Sequence, residues 1–442
     1  MKKFLCVTTA ILCCVCTLVL FACKPAATEQ QVADKQVEAS TAALADYTFA
    51  KAAADSALVA AREGDADMYI VAHSEGGDKL IYVYQDVYYD TVPVTDTGYR
   101  YVDVYMPTAK EKLAADTPVF LYLHGGGWVA GSRKDEQLSL MPYIASTGMV
   151  VVSMEYGLWF GLNQMQGTDK GVYGWESFGL TNILDTVLRN EHPVSVKDMM
   201  ADVTACITFL RDTYLPSLGL TATKIGIGGY SAGGHLSSLY AYKYAEQSPI
   251  ELAYLMDLVG PVKLLDETYL RILNRFLGRT PVADGEEEDE AATNLKRMIR
   301  PLLSDLAPAL AGILGETVTV AEGETHPYDI STEQGYQNAM AAIPNYQSID
   351  YLTSSSVPTI ICYAGSHDDI PIAEALFGAD TVFDDFIPKT IYDAISSKLD
   401  EVGIVHSDIF YDNLTHNNIG KDSASTKWMA AHVRAYAELY CK

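Results

Sequence analysis

Two hydrophobic periods alternate along this chain. Largely apolar runs occur at Thr117–His124 (TPVFLYLH), Met149–Tyr156 (MVVVSMEY), Glu251–Val262 (ELAYLMDLVGPV) and Pro358–Gly365 (PTIICYAG), and a shorter one at Ser407–Asp412 (SDIFYD). Such runs, too short for a membrane helix, read as strands buried on both faces. Between them lie helical spacings. Asp198–Gly219 carries Val203, Ile207 and Leu210 and ends on glycine, Lys224–Gln247 passes from strand to helix, and further helices fall near Leu138–Ser146, Ile391–Val402 and Lys427–Tyr440. Ahead of these, Lys79–Asp90 and Tyr99–Pro107 read as two antiparallel strands joined near Thr95–Gly98, and alanine-rich Tyr47–Arg62 reads as a helix. Antiparallel strands followed by strands alternating with helices imply an α/β domain, here residues 41–442, with a mostly parallel sheet covered on both faces. Segments 157–196 and 263–346 contribute no sheet strand, and both follow strands, where open α/β sheets place their ligand-binding loops. They read as insertions over a site. No internal repeat is present.

The N-terminus has a separate logic. A basic MKK start precedes an uncharged apolar segment, Phe4–Phe21, and then LFAC (Leu20–Cys23). This resembles a bacterial lipoprotein signal, with Ala22 before the cysteine as the lipobox pattern prefers. The resemblance implies that residues 1–22 are removed and that Cys23 is lipidated, anchoring the protein in the cell envelope. The competing reading is a membrane-spanning anchor with an accidental cysteine. Residues 23–40, without aromatics and poor in apolar side chains, are expected to be a disordered tether. Cys6, Cys13, Cys14, Cys16 and Cys23 belong to the signal, so only Cys206, Cys362 and Cys441 lie in the body and a disulfide scaffold is not expected. A formal charge of −26 without a basic cluster argues against nucleic acid or an anionic membrane surface as partner, leaving the lipid as the membrane contact. The acidic run GEEEDE (Gly285–Glu290) reads as a solvated loop rather than a metal site.

Chemistry enters at GGYSAGGH (Gly228–His235), where a strand meets a helix. Gly229-x-Ser231-x-Gly233 is the pattern of a nucleophile on a turn so sharp that its neighbours must be small. A serine hydroxyl needs a base to take its proton and amides to receive the charge that develops on the carbonyl oxygen. The run His124-Gly125-Gly126-Gly127-Trp128, directly after an apolar strand, suits the second need, because bare backbone can approach a ligand closely.

From about Ile81 to the C-terminus, insertions apart, the chain resembles the α/β-hydrolase family in its hormone-sensitive-lipase-like and bacterial carboxylesterase branches. The resemblance implies an oxyanion hole formed by the amides of Gly126, Gly127 and Ala232, with His124 orienting the loop. It also implies the chain order Ser, acid, His. Gly365-Ser366-His367-Asp368 resembles the G-x-x-D segment of the acid, which aligns Asp368; the proline at Pro371 comes one residue earlier than the usual pattern, which leaves Asp369 open. His416, in the loop after the last strand, is the expected base. His406, before or inside that strand, would point into the sheet or away from the site, while His235 and His432 on helices read as structural. One departure is Gly157, standing where the family often has arginine; Asp202 resembles a structural aspartate ahead of the elbow strand.

The reading is a serine ester hydrolase acting on a small-molecule ester through an acyl-enzyme, with no cofactor and no metal. Another acyl hydrolase on the same triad (an arylformamidase or a peptidase) and a non-catalytic surface binding protein on a hydrolase fold are the alternatives. Trp159, Phe160, Tyr173, Trp175 and Phe178 would either line an acyl or sugar site or pack the first insertion onto the body.

Overall fold

The structure, a computed structural model, describes residues 28–53, 64–89, 100–128, 131–158, 194–277, 279, 307–316, 318–321, 323–366 and 387–442. Among them ten strands form one sheet. They are β1 (Thr48–Lys51), β2 (Met68–His73), β3 (Lys79–Tyr88), β4 (Tyr101–Met106), β5 (Val119–Leu123), β6 (Val150–Met154), β7 (Lys224–Tyr230), β8 (Glu251–Leu258), β9 (Thr359–Ser366) and β10 (His406–Thr415). Their order is β1-β2-β3-β4-β6-β5-β7-β8-β9-β10. The first four pair antiparallel, β4 joins β6 antiparallel, and β6 through β10 run parallel. This order, with a tight strand-to-helix turn after β7, is that of the α/β-hydrolase fold.

The largely apolar runs are explained by helices on both faces. On β5, Phe120 and Tyr122 join one core and Val119, Leu121 and Leu123 the other. Val151 of β6 likewise faces opposite to Val150, Val152 and Met154. Side chains alternate along a strand, so a strand covered twice needs apolar residues at every position. The helices are α1 (Glu29–Ala43), α2 (Leu140–Ser146), α3 (Val196–Phe209), α4 (Ala232–Lys243), α5 (Glu267–Phe276), α6 (Ala307–Ile313), α7 (Glu333–Ala342), α8 (Lys389–Val402) and α9 (Ser423–Tyr440). The first core takes Ala33 of α1, Met141 and Ile144 of α2, Ile391 and Ile395 of α8, and Met429 and Val433 of α9. The second takes Val203 and Ile207 of α3 and Leu236 and Leu239 of α4. Cys206 and Cys362 are buried, and burial pushes both thiols up, away from reactive thiolate.

Two expectations at the N-terminus are corrected. Residues 29–43, assigned mostly to a disordered tether, form α1. Thr28 and Gln31 make a reciprocal capping box at its start. Fully buried Ala33 seats the helix against α9 with little side chain between the two backbones. The Gln30 carboxamide completes the edge strand: Nε2 donates to the His406 carbonyl at 2.7 Å and Oε1 accepts from the His406 N–H at 3.1 Å. Within 47–62, expected as a helix, residues 48–51 form β1 instead, because β2 offers an open edge that overrides alanine's propensity; 54–63 lie outside the described residues. Cys23 and the signal segment also lie outside them, as do 159–193 of the first insertion and 280–306 of the second. The rest of the second insertion supplies α5, α6 and α7.

If α1 is docked rather than a tether, residues 29–43 of the full-length protein resist limited proteolysis. Ala33→Asp, which forces a carboxylate into that contact, is expected to open 29–43 to cleavage. Rapid cutting there in the unmodified protein would restore the tether.

Candidate active site

Ser231 closes β7 and opens α4 with φ +54° and ψ −116°, a conformation that costs a non-glycine residue about 1–3 kcal/mol. Two close approaches force it. A Cβ on Gly229 would stand 2.4 Å from the Gly233 carbonyl carbon, and one on Gly233 would stand 2.1 Å from the Leu123 carbonyl oxygen. The chain therefore turns at Ser231 with both flanking glycines wedged against backbone, while the Ser231 N–H donates to the Leu258 carbonyl at 2.8 Å. The first amides of a helix have no acceptor within it, so α4 directs the N–H of Ala232 and its neighbours, with their partial positive charge, toward this turn.

His416 follows β10 directly and meets the serine. Its Nε2 lies 3.0 Å from Ser231 Oγ, with both residues buried. The Tyr230 hydroxyl donates to the His416 carbonyl, and the two rings lie 5.2 Å apart. Burial first, then Lys421, push the imidazole down to about 3, toward the neutral form that accepts a proton from a hydroxyl. His367, Asp368 and Asp369 lie outside the described residues. The strand that leads to them does not: Ser366 of β9 pairs with Thr415 of β10, so β9 ends beside the residue preceding His416.

The glycine run leaves β5 next to this pair. Gly126, Gly127 and Trp128 have φ of +120°, +59° and +63°, a left-handed course that glycine adopts readily and tryptophan does not. Fully buried His124 anchors the start of the run. Its Nδ1–H donates to the Gly125 carbonyl at 2.7 Å, its ring stacks on Tyr156 at 4.4 Å, and the Tyr156 hydroxyl donates to the His124 carbonyl at 2.8 Å. His124 Nε2 lies 3.4 Å from Glu155 Oε1. Burial disfavours charge on this imidazole, but the attraction of Glu155, then Asp135 and the Gly125 carbonyl, outweigh it and the pKa rises.

Beneath His124 lies a set of ions that the pattern of apolar runs did not reveal. The fully buried Arg133 guanidinium donates from Nε to Asp103 Oδ1 at 2.9 Å, from Nη1 to Glu155 Oε2 at 3.1 Å, and from Nη2 to Asp86. Glu155 is thus shared between Arg133 and His124, and both hold its carboxyl below the ordinary range against the pull of burial. The sequence signal was available, since Asp103 and Glu155 interrupt apolar strand segments where a charge must find a partner. Asp202 is structural, as expected: it pairs with Arg100 at 3.1 Å and accepts from the Gly157 N–H at 3.0 Å. His406 begins β10 and bonds the Ile404 carbonyl at 3.0 Å, and His432 on α9 stacks on Trp428. His235 has partners beyond its own helix, discussed below.

The site can therefore transfer the Ser231 proton to His416, beside a helix start and a left-handed glycine run. No family model matches the chain. Among solved structures it is similar to a truncated carbohydrate esterase from gut microbiota, with 13% identity, a TM-score of 0.48, and 80% of this chain and 96% of that one covered. An inhibited esterase B from Lactobacillus rhamnosis gives 16%, 0.46, 92% and 97%. A hyperthermophilic esterase from the archaeon Pyrobaculum calidifontis gives 14%, 0.42, 92% and 90%. At such TM-scores these likenesses carry no part of the chemistry, which rests on the geometry above.

Arg133→Met is expected to lower stability by about 3–5 kcal/mol in urea unfolding, because it leaves the buried Glu155 and Asp103 carboxylates without their counter-ion. A loss below about 1 kcal/mol would mean that the cluster does not hold the loop.

Proposed function

We propose that this protein is a serine ester hydrolase that works through an acyl-enzyme, with Ser231 as nucleophile and His416 as base. The observation that carries the reading is the Ser231 Oγ to His416 Nε2 contact at 3.0 Å, made by a serine on a strained strand-to-helix turn. Backbone strain of this kind clusters where it serves chemistry, and a buried neutral imidazole facing that hydroxyl gives it a use.

In the first step the Ser231 hydroxyl proton passes to His416 Nε2 as Oγ bonds to the ester carbonyl carbon and the carbonyl π pair moves onto oxygen. The resulting oxyanion is received by the amides of Gly126, Gly127 and Ala232. Each such donor contributes on the order of 3 kcal/mol to lowering the barrier when aimed at the oxyanion. The tetrahedral carbon then expels the alcohol oxygen, which takes the proton back from His416. Water, giving its proton to His416, attacks the acyl-serine in the same way, and expulsion of Oγ with that proton restores the enzyme. Asp368 is assigned to the second imidazole nitrogen, where a carboxylate fixes the tautomer and supports the imidazolium. No step calls for a cofactor. The substrate class is a small-molecule ester.

Ser231→Ala is expected to abolish hydrolysis of short-chain p-nitrophenyl esters while leaving the circular dichroism spectrum unchanged. Asp368→Asn should lower turnover by about 10⁴-fold, as in a serine-protease precedent, and Asp369→Asn should stay within about tenfold of the parent, a carboxylate without a specific partner adding little. Undiminished turnover by Ser231→Ala would defeat the reading; the reverse ranking of the two aspartates would move the acid to Asp369.

A further inference from the structure

His235 stands four residues after Ser231 on α4, is 1% exposed, and makes one hydrogen bond with each ring nitrogen. The Trp128 indole Nε1–H donates to His235 Nδ1 at 3.2 Å, with the rings edge to face at 5.3 Å and 88°. His235 Nε2 lies 2.7 Å from the Tyr346 carbonyl oxygen. Indole can only donate and a carbonyl can only accept, so both contacts are satisfied by a single protonation state: neutral imidazole with its proton on Nε2. Burial, which pushes this histidine down to about 4, keeps that state in place at neutral pH.

The two partners belong to different parts of the site. Trp128 ends the left-handed run that begins at Gly126, at a φ (+63°) its side chain does not favour. Tyr346 lies at the end of the second insertion, after α7, and its own hydroxyl donates to the Leu314 carbonyl at 2.7 Å, just past α6. One imidazole therefore spans the nucleophile helix, the glycine loop and the inserted helices.

We propose that His235 is a positioning residue that, through Trp128, holds Gly126 and Gly127 in their oxyanion-receiving course and ties that course to the inserted segment at Tyr346. The proposal rests on the ester-hydrolase reading of the site. It concerns transition-state stabilisation rather than substrate affinity. An amide shifted by about 1 Å can cost on the order of a hundredfold in rate, so the loss should fall on kcat.

The test compares His235→Leu, Trp128→Phe, their double variant and His235→Asn, with kcat and KM expressed per active site titrated by a phosphonate ester. Both single variants should lose about 10–100-fold in kcat with KM within about threefold. The double variant should lose no more than the worse single one, because both break the same link. His235→Asn should recover most of the activity, its carboxamide oxygen replacing Nδ1 as acceptor for the indole. A second readout does not depend on turnover: the Trp128 indole proton, identified by its loss in Trp128→Phe, should exchange slowly in the parent and rapidly in His235→Leu. The proposal is overturned by multiplicative losses in the double variant, by unchanged kcat per titrated site in both single variants, or by an indole proton indifferent to His235. Should the parent hydrolyse no ester, the ester-hydrolase reading fails, and the indole readout still decides whether His235 holds Trp128.

Discussion

A hydroxyl can stand clear of a parallel sheet only if its backbone is driven through a turn that ordinary residues avoid, and here that turn is imposed by contact between Gly229, Gly233 and β5. With the Leu123 carbonyl 2.1 Å from where a Gly233 side chain would begin, α4 packs as closely on β5 as backbone allows. The strain at Ser231 is offset by the central position of β7, paired to β5 on one side and β8 on the other. The same closeness fixes where the loop after β5 emerges. Ser231 and the glycine run are neighbours because two glycines let a helix touch a strand.

The three glycines of that loop, Gly125, Gly126 and Gly127, have no side chains to stiffen it, and the structure supplies stiffness from below. Arg133, Asp103, Glu155 and His124 form a buried, hydrogen-bonded set whose members are costly to bury singly and tolerable together. Three histidines near the site show how far surroundings decide behaviour. His124 faces Glu155 and shifts toward imidazolium; His416 and His235 are buried beside a hydroxyl and beside an indole and a carbonyl, and both shift toward the neutral base. The charge state of each suits its partners: a carboxylate for the first, a proton donor for the other two.

Much of this was legible in the residues. Strands buried on both faces leave largely apolar runs, so β5, β6, β8 and β9 were each anticipated from the pattern, and the Ser231 elbow announced itself by glycines at fixed spacing. What the pattern missed depends on contacts distant in sequence. Strand β1 forms because β2 exposes an edge, not because of its alanines. Helix α1 survives with few apolar residues because Ala33 fits α9 and Gln30 fits the edge of β10, across about four hundred residues of chain. His235 could be placed on a helix from sequence alone. Its partners Trp128 and Tyr346, 107 and 111 positions away, could not be inferred from periodicity.

The assignment of Ser231 with the Gly126, Gly127 and Ala232 amides is tested most directly by an experimental structure of the protein inactivated with an alkyl phosphonate ester, whose tetrahedral phosphorus stands in for the reacting carbon. The expected result is a covalent bond from Ser231 Oγ to phosphorus, with the phosphoryl oxygen about 2.7–3.1 Å from the hole amides and His416 Nε2 facing the serine oxygen. A phosphonate on any other residue, or a phosphoryl oxygen turned away from the glycine run, would contradict it.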